Sequence, residues 1–352
     1  MWKIPPETCR HIRTWMAWPW DGDIWNSTPG TSLESSQEAI DRLVRVISNY
    51  ENVSLLVRDA DALELERRFR SSSDRRHQVE IVVANYNDIW VRDTLPTFAI
   101  SEHGSLVAIN WNFNGWGRRA RSYAAYGDDA QLCIKVSSLT GAELVDSGIT
   151  AEGGAFAFDG AQLTVATKSV MFDKCRNQNA TKAEIEKAIV RATGRQKMCW
   201  LPGDRNEPIT CGHADSLIAF TGGQTVLMNW TFDEMTEEFD VCDYNMRVFE
   251  AWIANQEQRF DIIQVPAASR RSGYNHCSSY INFAHVDGGI IIPEYGDVVE
   301  DKSARAIISE AFNGKLDVES VDVRAIAAAG GSIHCVTLQQ PYVELAELKA
   351  SS

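Results

Sequence analysis

The sequence predicts an α/β fold made of about five repeated units. Helical patterns followed by apolar strands recur at residues 33–57, 58–84, 181–201, 234–265 and 301–323. Polar or glycine-rich interruptions recur as well, at Asp93, Glu152, His213, Gly288 and Gly330. In a repeat architecture such loops converge on one face. No linker rich in proline or serine divides the chain, and an ordinary two-domain α/β protein is the alternative interpretation of this pattern.

Local signals place individual elements within these units. Thr31 to Glu34 fits a capping box before an apolar helical face, and Thr181 to Glu184 fits a second one, whose helix ends at Gly194. The segment 131–136 is predicted to be a strand. Asp287-Gly288, between two apolar segments, is typical of a β-hairpin turn.

Composition and charge exclude several classes of protein. Hydrophobic residues make up 44% of the 352 residues and charged residues 23%, as in globular proteins. The net charge of −14 disfavours nucleic acid as a partner and is compatible with a cationic substrate. There is no apolar run long enough to span a membrane and no signal-peptide pattern. Eight scattered cysteines favour a cytoplasmic location, and a homo-oligomer is compatible with the sequence.

A single thiol follows two glycines near the end of the sequence. Gly330 and Gly331 permit close approach of the backbone to a ligand, and the β-branched segment after them is predicted to fix the direction of the Cys335 thiol. A buried free cysteine that serves only as a small hydrophobic residue is the competing interpretation. Cys335 is therefore a candidate nucleophile.

Together with this thiol, the polar interruptions supply the residue types for covalent attack on a planar cation. A guanidinium group matches carboxylates bidentately, so Asp93 and Asp215 are predicted to clamp it. Such a cation would favour the thiolate of Cys335. His213 could then protonate the departing nitrogen and activate water, with Glu152 orienting the imidazole.

Each of these residues also has a structural interpretation. Asp93 could pair with Arg92 at a strand end, Glu152 could be an ordinary turn residue, and a His-x-Asp pair is common on protein surfaces. Sulfur lies near nitrogen in Cys9-x-His11, Cys211-x-His213 and His334-Cys335. None of these spacings is typical of zinc ligands, so no metal site is predicted.

Seven short motifs, rich in aromatic, glycine and polar residues, follow one another along the chain. They are Trp15-Met16-Ala17-Trp18-Pro19, Trp90-Val91-Arg92-Asp93-Thr94, Trp111-Asn112-Phe113-Asn114-Gly115-Trp116-Gly117, Glu152-Gly153-Gly154, Gly212-His213-Ala214-Asp215, Ser279-Tyr280-Ile281-Asn282-Phe283, and Gly330-Gly331-Ser332-Ile333-His334-Cys335 through Gln339-Gln340-Pro341. From Trp15 to Pro341 the chain thereby resembles the agmatine deiminases of the guanidine-modifying (pentein) superfamily. The resemblance implies a five-bladed, pseudo-symmetric α/β propeller, here one catalytic domain over residues 1–352, with no metal or organic cofactor.

The resemblance also implies a reaction and the residues that perform it. Members hydrolyse agmatine to N-carbamoylputrescine and ammonia on the way to polyamines such as putrescine, here through a covalent thiouronium intermediate. The implied roles are Cys335 as nucleophile, His213 as acid and base, Glu152 as its partner, Asp93 and Asp215 as guanidinium clamps, and Trp90 and Gly331 as further substrate contacts.

The sequence departs from the family pattern beside the predicted site. Leu95 stands where glycine is usual, Ser216 and Ser332 where asparagine is usual, and Ala284 where tyrosine is usual. The five chemical residues are all present. Deimination of arginine, peptidyl-arginine or another guanidino compound is one alternative, and amidino transfer to an amine is another. A guanidine-binding protein without turnover is the non-enzymatic alternative.

Overall fold

The strands and helices come from a computed structural model that describes residues 1–70, 76–118, 125–269 and 277–344. Its strands are β1 (Trp2–Lys3), β2 (His11–Ala17), β3 (Asn52–Val57), β4 (Val79–Val83), β5 (Thr97–Ser101), β6 (Leu106–Asn110), β7 (Glu143–Asp146), β8 (Phe156–Phe158), β9 (Leu163–Thr167), β10 (Lys197–Leu201), β11 (Ile218–Phe220), β12 (Thr225–Trp230), β13 (Asp261–Pro266), β14 (Ala284–Val286), β15 (Gly289–Glu294), β16 (Asp317–Asp322) and β17 (Leu338–Pro341). Its α-helices are α1 (Gly22–Trp25), α2 (Leu33–Ile47), α3 (Asp59–Arg70), α4 (Val91–Thr94), α5 (Asp129–Thr140), α6 (Lys168–Met171), α7 (Lys174–Asn177), α8 (Lys182–Thr193), α9 (Glu237–Ile253), α10 (Val298–Ala311) and α11 (Arg324–Ala327).

Within these ranges the strands form five small sheets of one design. A first strand pairs antiparallel with a second, a helix crosses over, and a last strand pairs parallel with the second. Four sheets follow chain order, as β5-β6-α5-β7, β8-β9-α8-β10, β11-β12-α9-β13 and β14-β15-α10-β16. The predicted five-bladed α/β propeller is thereby confirmed.

The remaining sheet joins the two ends of the chain. The late strand β17 pairs antiparallel with β2, which continues in parallel to β3 and, through α3, to β4. Leu338 lies opposite Trp15 in this register, and Trp15 Nε1 donates to Gln340 Oε1 at 3.0 Å. The sheet is therefore completed by residues that follow Cys335 in the sequence.

Caps and apolar faces explain most helix bounds. Ser32, one residue after the predicted position, caps α2, whose apolar face is buried from Ile40 to Ile47. The second capping box is confirmed, since the Thr181 side chain accepts from Glu184 N and α8 ends at Gly194 in the left-handed conformation.

Two expectations about local structure are wrong. Segment 131–136 lies in helix α5 rather than in a strand, because Leu132, Cys133 and Val136 have the one- and four-residue spacing of a buried helical face. Gly288 does form the predicted hairpin turn between β14 and β15. That turn lies at the start of β15, opposite the end where the parallel strands finish, so it is not one of the converging polar loops.

Candidate active site

Five polar turns follow the last strands of the five sheets. In chain order they carry Asp93 after β4, Glu152 after β7, His213 and Asp215 after β10, Asn282 after β13, and Cys335 after β16. Each last strand runs parallel to its neighbour, so all five turns lie at the carboxyl ends of parallel strands. Ligands commonly bind at these ends in α/β sheets.

Short helical turns set the direction of most of these side chains. Asp93 lies in α4, and Asp215 lies in the 3₁₀ turn Ala214–Ser216. Cys335 lies in the 3₁₀ turn His334–Val336, not in the extended strand that its β-branched neighbours suggest. A tight turn points consecutive side chains in different directions, so His334 and Cys335 can contact different groups.

His213 and Glu152 form a buried pair with an arginine behind it. His213 Nε2 donates to Glu152 Oε2 at 3.3 Å, and Arg176 Nε donates to both Glu152 oxygens at 2.8 and 3.1 Å. His213 is 3% exposed and Glu152 is fully buried. The arginine therefore fixes the carboxylate that orients the imidazole.

Asp93 receives two donors and faces the same imidazole. Trp116 Nε1 donates to its Oδ2 at 2.8 Å, and Gly154 N donates to its Oδ1 at 3.0 Å. His213 Nδ1 lies 3.7 Å from Asp93 Oδ1. Because its two oxygens are held by different elements, the orientation of this carboxylate is fixed.

Cys335 contacts the remaining two turns. Its Sγ donates to Asn282 Oδ1 at 3.3 Å and lies 3.8 Å from Asp215 Oδ2. Asn282 Nδ2 also donates to the Asp215 carbonyl at 3.4 Å. The thiol, the predicted clamp Asp215 and Asn282 thus form one contact group.

A glycine lies where these groups meet. A Cβ on Gly154 would stand 2.7 Å from His213 Nδ1, 2.8 Å from Asp215 Oδ2 and 2.9 Å from Asp93 Oδ1. These are distances that real Cβ atoms do not tolerate. The space above Gly154 is therefore bordered by the imidazole and by both predicted clamps.

A second chain of contacts extends from Asp215 away from the thiol. His334 Nδ1 donates to Asp215 Oδ2 at 3.0 Å, and His334 Nε2 lies 3.0 and 3.2 Å from the two carboxylate oxygens of Glu7. Arg92 Nε donates to the His334 carbonyl at 3.2 Å. Glu7 comes from the segment before β2, outside the five turns.

Burial and charge shift the pKa values of the groups around Gly154. Burial disfavours the charged imidazole, but Asp93, Glu152 and Asp215 raise the pKa of His213 to about 9. Burial also opposes ionisation of Glu152, yet Arg176 and His213 hold its pKa below the ordinary value. At neutral pH this histidine is therefore an acid, next to an ionised glutamate.

Cys335, the predicted nucleophile, and Asp93, a predicted clamp, have pKa values shifted upward, toward their protonated forms. Burial raises the pKa of the Cys335 thiol well above its ordinary value, and the Asp215 carboxylate raises it further. Burial likewise raises the pKa of Asp93. A cation placed between the two aspartates would lower both pKa values.

The structure brings together all five residues that the sequence singles out for chemistry. Trp90 and Gly331 lie against each other, since a Cβ on Gly331 would come 2.1 Å from Trp90 Cζ3. The Trp90 ring also stacks on Trp25 at 6.3 Å between centroids. The substrate contacts predicted for Trp90 and Gly331 stay predictions.

Sequence reasoning missed the supporting residues. Trp116 and Asn282 lie in the family motifs, and His334 directly precedes Cys335, the predicted nucleophile, so their position in the sequence was a usable signal. Arg176 and Glu7 had no such signal, because only the folded chain brings them to the site.

The described part of the chain contains neither a cluster suited to a metal ion nor a helix suited to a membrane. In those residues no group of three or more His, Cys, Asp or Glu side chains is arranged to hold a metal ion. In the same ranges no helix combines the length and the apolar character that crossing a membrane requires.

Comparison with known proteins extends the similarity to nearly the whole chain. A family model described as Porphyromonas-type peptidyl-arginine deiminase matches residues 3–341. An agmatine deiminase from Ectopseudomonas mendocina is 29% identical over 361 residues, which cover 96% of this chain and 95% of the relative.

Solved structures share the fold. Agmatine deiminase of Enterococcus faecalis superposes with a TM-score of 0.86 at 21% identity, covering 97% of this chain and 96% of that one. A Cys-to-Ser variant of C. jejuni agmatine deiminase with substrate bound gives 0.84 at 21% identity, covering 98% of both chains.

Proposed function

The chain belongs to the Porphyromonas-type peptidyl-arginine deiminase family, and within it to the agmatine deiminases, and on that premise we propose that it hydrolyses agmatine to N-carbamoylputrescine and ammonia. One observation carries the proposal. The Cys335 thiol, the His213–Glu152 pair and the carboxylates of Asp93 and Asp215 surround one space above Gly154. A thiol nucleophile, a protonated acid and two anions are the groups that deimination requires.

The guanidinium group binds between Asp93 and Asp215. Both carboxylates are almost completely buried, so an added cation neutralises charge that water does not screen. The same positive charge lowers the pKa of the neighbouring thiol. Substrate binding thereby releases the proton of Cys335 and generates the thiolate where it is used.

In the first half of the reaction the sulfur attacks the central carbon. A C–S bond forms and gives a tetrahedral adduct. His213 then donates its proton to one terminal nitrogen, the C–N bond breaks, and ammonia departs. The product is an S-alkylthiouronium on Cys335, and the imidazole is left neutral beside Glu152.

In the second half water replaces ammonia. Neutral His213 takes a proton from water as the oxygen bonds to the same carbon. Collapse of this second adduct breaks the C–S bond and leaves a ureido group on the product. The hydroxyl proton of that adduct passes to the departing sulfur and restores the Cys335 thiol. The neutral product then leaves, so the free enzyme is regenerated.

A substrate panel tests the proposal. Agmatine, arginine, a peptidyl-arginine and a simple alkylguanidine are assayed for ammonia and for ureido product, without an added amine and then with one. We expect equal amounts of ammonia and ureido product from agmatine, and lower kcat/KM for the others. Products that require the added amine would establish amidino transfer instead. A higher kcat/KM for arginine or for the peptidyl-arginine than for agmatine would assign that compound as the substrate.

Two cysteine variants complete the test. Cys335→Ala is expected to lose turnover by a factor of at least about 10³, the scale of losing a nucleophile. It should still bind agmatine, since the carboxylates are untouched. Cys242→Ala, which removes a buried thiol on α9, is the matched control and should retain activity. Binding of agmatine by the wild type without any turnover would support the non-enzymatic alternative.

A further inference from the structure

A buried imidazole joins the predicted clamp to a carboxylate from the start of the chain. His334 bonds through Nδ1 to Asp215 and through Nε2 to Glu7, at the distances given above. Both partners are carboxylates, which only accept, so both ring nitrogens must carry protons for both bonds to form. The contacts therefore fit an imidazolium held between two anions.

The segment that supplies Glu7 is fixed independently. His11 Nε2 donates to the Glu7 carbonyl at 2.8 Å, and Arg92 Nη1 lies 3.4 Å from Glu7 Oε1. Arg92 Nη2 donates to Gln339 Oε1 at 2.8 Å. The backbone of this segment is thus held by β2, and its carboxylate lies near Arg92 of α4, which β17 holds in turn. Contact with His334 alone does not fix it.

The charged and titratable groups facing His334 are Glu7, Asp215, Arg92 and His285. Burial and the Arg92 guanidinium disfavour a charged ring, but the two carboxylates outweigh them and raise the pKa of His334. Against the effect of burial, His334 in turn lowers the pKa of Glu7 and of Asp215. Burial lowers the pKa of His285 to about 4, so that ring is neutral.

We propose that His334 and Glu7 are positioning residues for the deimination: His334, as an imidazolium anchored by Glu7, keeps the Asp215 carboxylate ionised and correctly oriented for the guanidinium group. The inference rests on the proposed function, because it assumes that Asp215 binds the substrate. His334 also precedes Cys335 directly, and Arg92 holds its carbonyl. The same residue therefore sets the relative placement of clamp and nucleophile.

The first test is the variant His334→Gln. Without the imidazolium the pKa of Asp215 rises, so the acid limb of kcat/KM is expected to move up by about one pH unit. KM for agmatine should rise about tenfold, the scale of one weakened charge-assisted hydrogen bond, while kcat changes less. Titration of the ¹³C-labelled Asp215 carboxyl by NMR reports the same shift without substrate.

The second test is Glu7→Gln, which leaves the imidazole in place. The amide cannot stabilise the imidazolium, so His334 should lose its proton at a lower pH than in the wild type. KM is then expected to be near the wild-type value at low pH and to rise as the pH increases, over a range in which the wild-type KM is flat. Glu7→Asp, which keeps the charge, should restore part of the difference.

His285→Gln is the matched control. His285 is also a buried histidine near His334, but it makes no described hydrogen bond to Asp215. Thermal unfolding is measured for every variant. The inference would be overturned if His334→Gln lost stability but kept an Asp215 titration and a KM like those of His285→Gln. His334 would then have a purely structural role. Failure of the wild type to act on agmatine would refute the proposed function, while the NMR titration would still test the coupling of His334 to Asp215.

Discussion

At the scale of single residues, Glu152-Gly153-Gly154 shows why two glycines follow the carboxylate that bonds to His213. Neither glycine has a positive φ. A Cβ on Gly153 would come 2.2 Å from the Arg92 carbonyl, and one on Gly154 would enter the space between His213 and the two aspartates. Close approach of neighbouring atoms, not backbone conformation, requires glycine at both positions.

Gly154→Ala should therefore disable the site while the protein still folds. The added methyl group occupies the space proposed for the guanidinium group, and we expect kcat/KM to fall by at least about 100-fold, the cost of displacing reacting groups by about 1 Å. Gly127→Ala is the control, because a Cβ there has no atom within 4 Å. Steady-state kinetics and circular dichroism measure the result, and near-normal activity in Gly154→Ala would contradict the proposed position of the substrate.

The His213–Glu152 pair gives a pH prediction. His213 must be protonated to act first as an acid, so kcat/KM of the wild type should decline above about pH 9. Removing the negative charge in Glu152→Gln lowers the pKa of His213, and the alkaline limb should move to lower pH. Glu80→Gln, at a more exposed carboxylate, is the control. An unchanged alkaline limb in Glu152→Gln would show that another group titrates there.

At the scale of elements, the five turns after the last strands were partly predictable. Asp93, Glu152 and His213 interrupt apolar patterns, and the interruption at Gly330 leads to Cys335. Asn282 was missed because the segment from Ser279 to Val286 looks like one continuous strand, whereas the strand begins only at Ala284. A buried turn whose asparagine lies between apolar residues carries no clear break in the pattern.

Long-range partners were beyond sequence reasoning. Glu7 and His334 are 327 positions apart, and Arg176 reaches Glu152 from a different element. Two serines that depart from the expected family pattern, Ser216 and Ser332, make hydrogen bonds in the structure. Ser216 Oγ donates to Asp215 Oδ1 at 3.3 Å, and Tyr295 Oη donates to Ser332 Oγ at 3.0 Å. Both serines thus bond close to the predicted clamp and nucleophile, respectively.

A buried ion pair joins strand β2 to the turn before β3. His11 Nδ1 donates to Glu51 Oε2 at 3.1 Å, and the same carboxylate accepts from Thr14 Oγ1 and from Asp287 N. Burial disfavours the charged ring, but Cys9 and Glu51 raise the pKa of His11 to about 10. The pair therefore links the first unit of the propeller to the hairpin of the last.

This pair predicts a stability that depends on pH. The folded-state pKa of His11 lies above its value of about 6.5 in the unfolded chain, so its stabilisation is complete below about pH 6.5 and disappears as the pH rises through about 10. His11→Asn should lower the free energy of unfolding by about 3 kcal/mol at pH 6. Urea unfolding should show that this difference shrinks toward pH 10, and a difference independent of pH would contradict the assignment.

At the scale of the whole molecule, pairing of β17 with β2 closes the ring of five sheets. Leu338 is 3% exposed and belongs to the same apolar core as Trp15. Leu338→Ala is expected to lower the free energy of unfolding by about 3 kcal/mol, as for other buried leucines. Tyr342→Ala, just beyond the strand and 39% exposed, should cost less than about 1 kcal/mol. Equal effects of the two substitutions would argue against closure through β17.

The repeats made the propeller only partly predictable. The predicted units 33–57 and 58–84 lie in one sheet, and the unit formed by α5 and β7 was not recognised. The number of blades was predicted from the resemblance to the family. The misassigned segment 131–136 shows the limit, since a short apolar run fits either a strand or one turn of a buried helix. Organisation as one catalytic domain over residues 1–352, a cytoplasmic location, independence from cofactors and assembly into homo-oligomers stay predictions.

Closure through β17 has a consequence for synthesis of the protein. Cys335 is among the last residues of the site to be translated. Strand β17, which follows it, must then pair with β2, which was translated more than 300 residues earlier. A nascent chain therefore has no assembled site until residue 341 has left the ribosome. Premature termination should yield fragments that bear the acidic turns yet never process a guanidine.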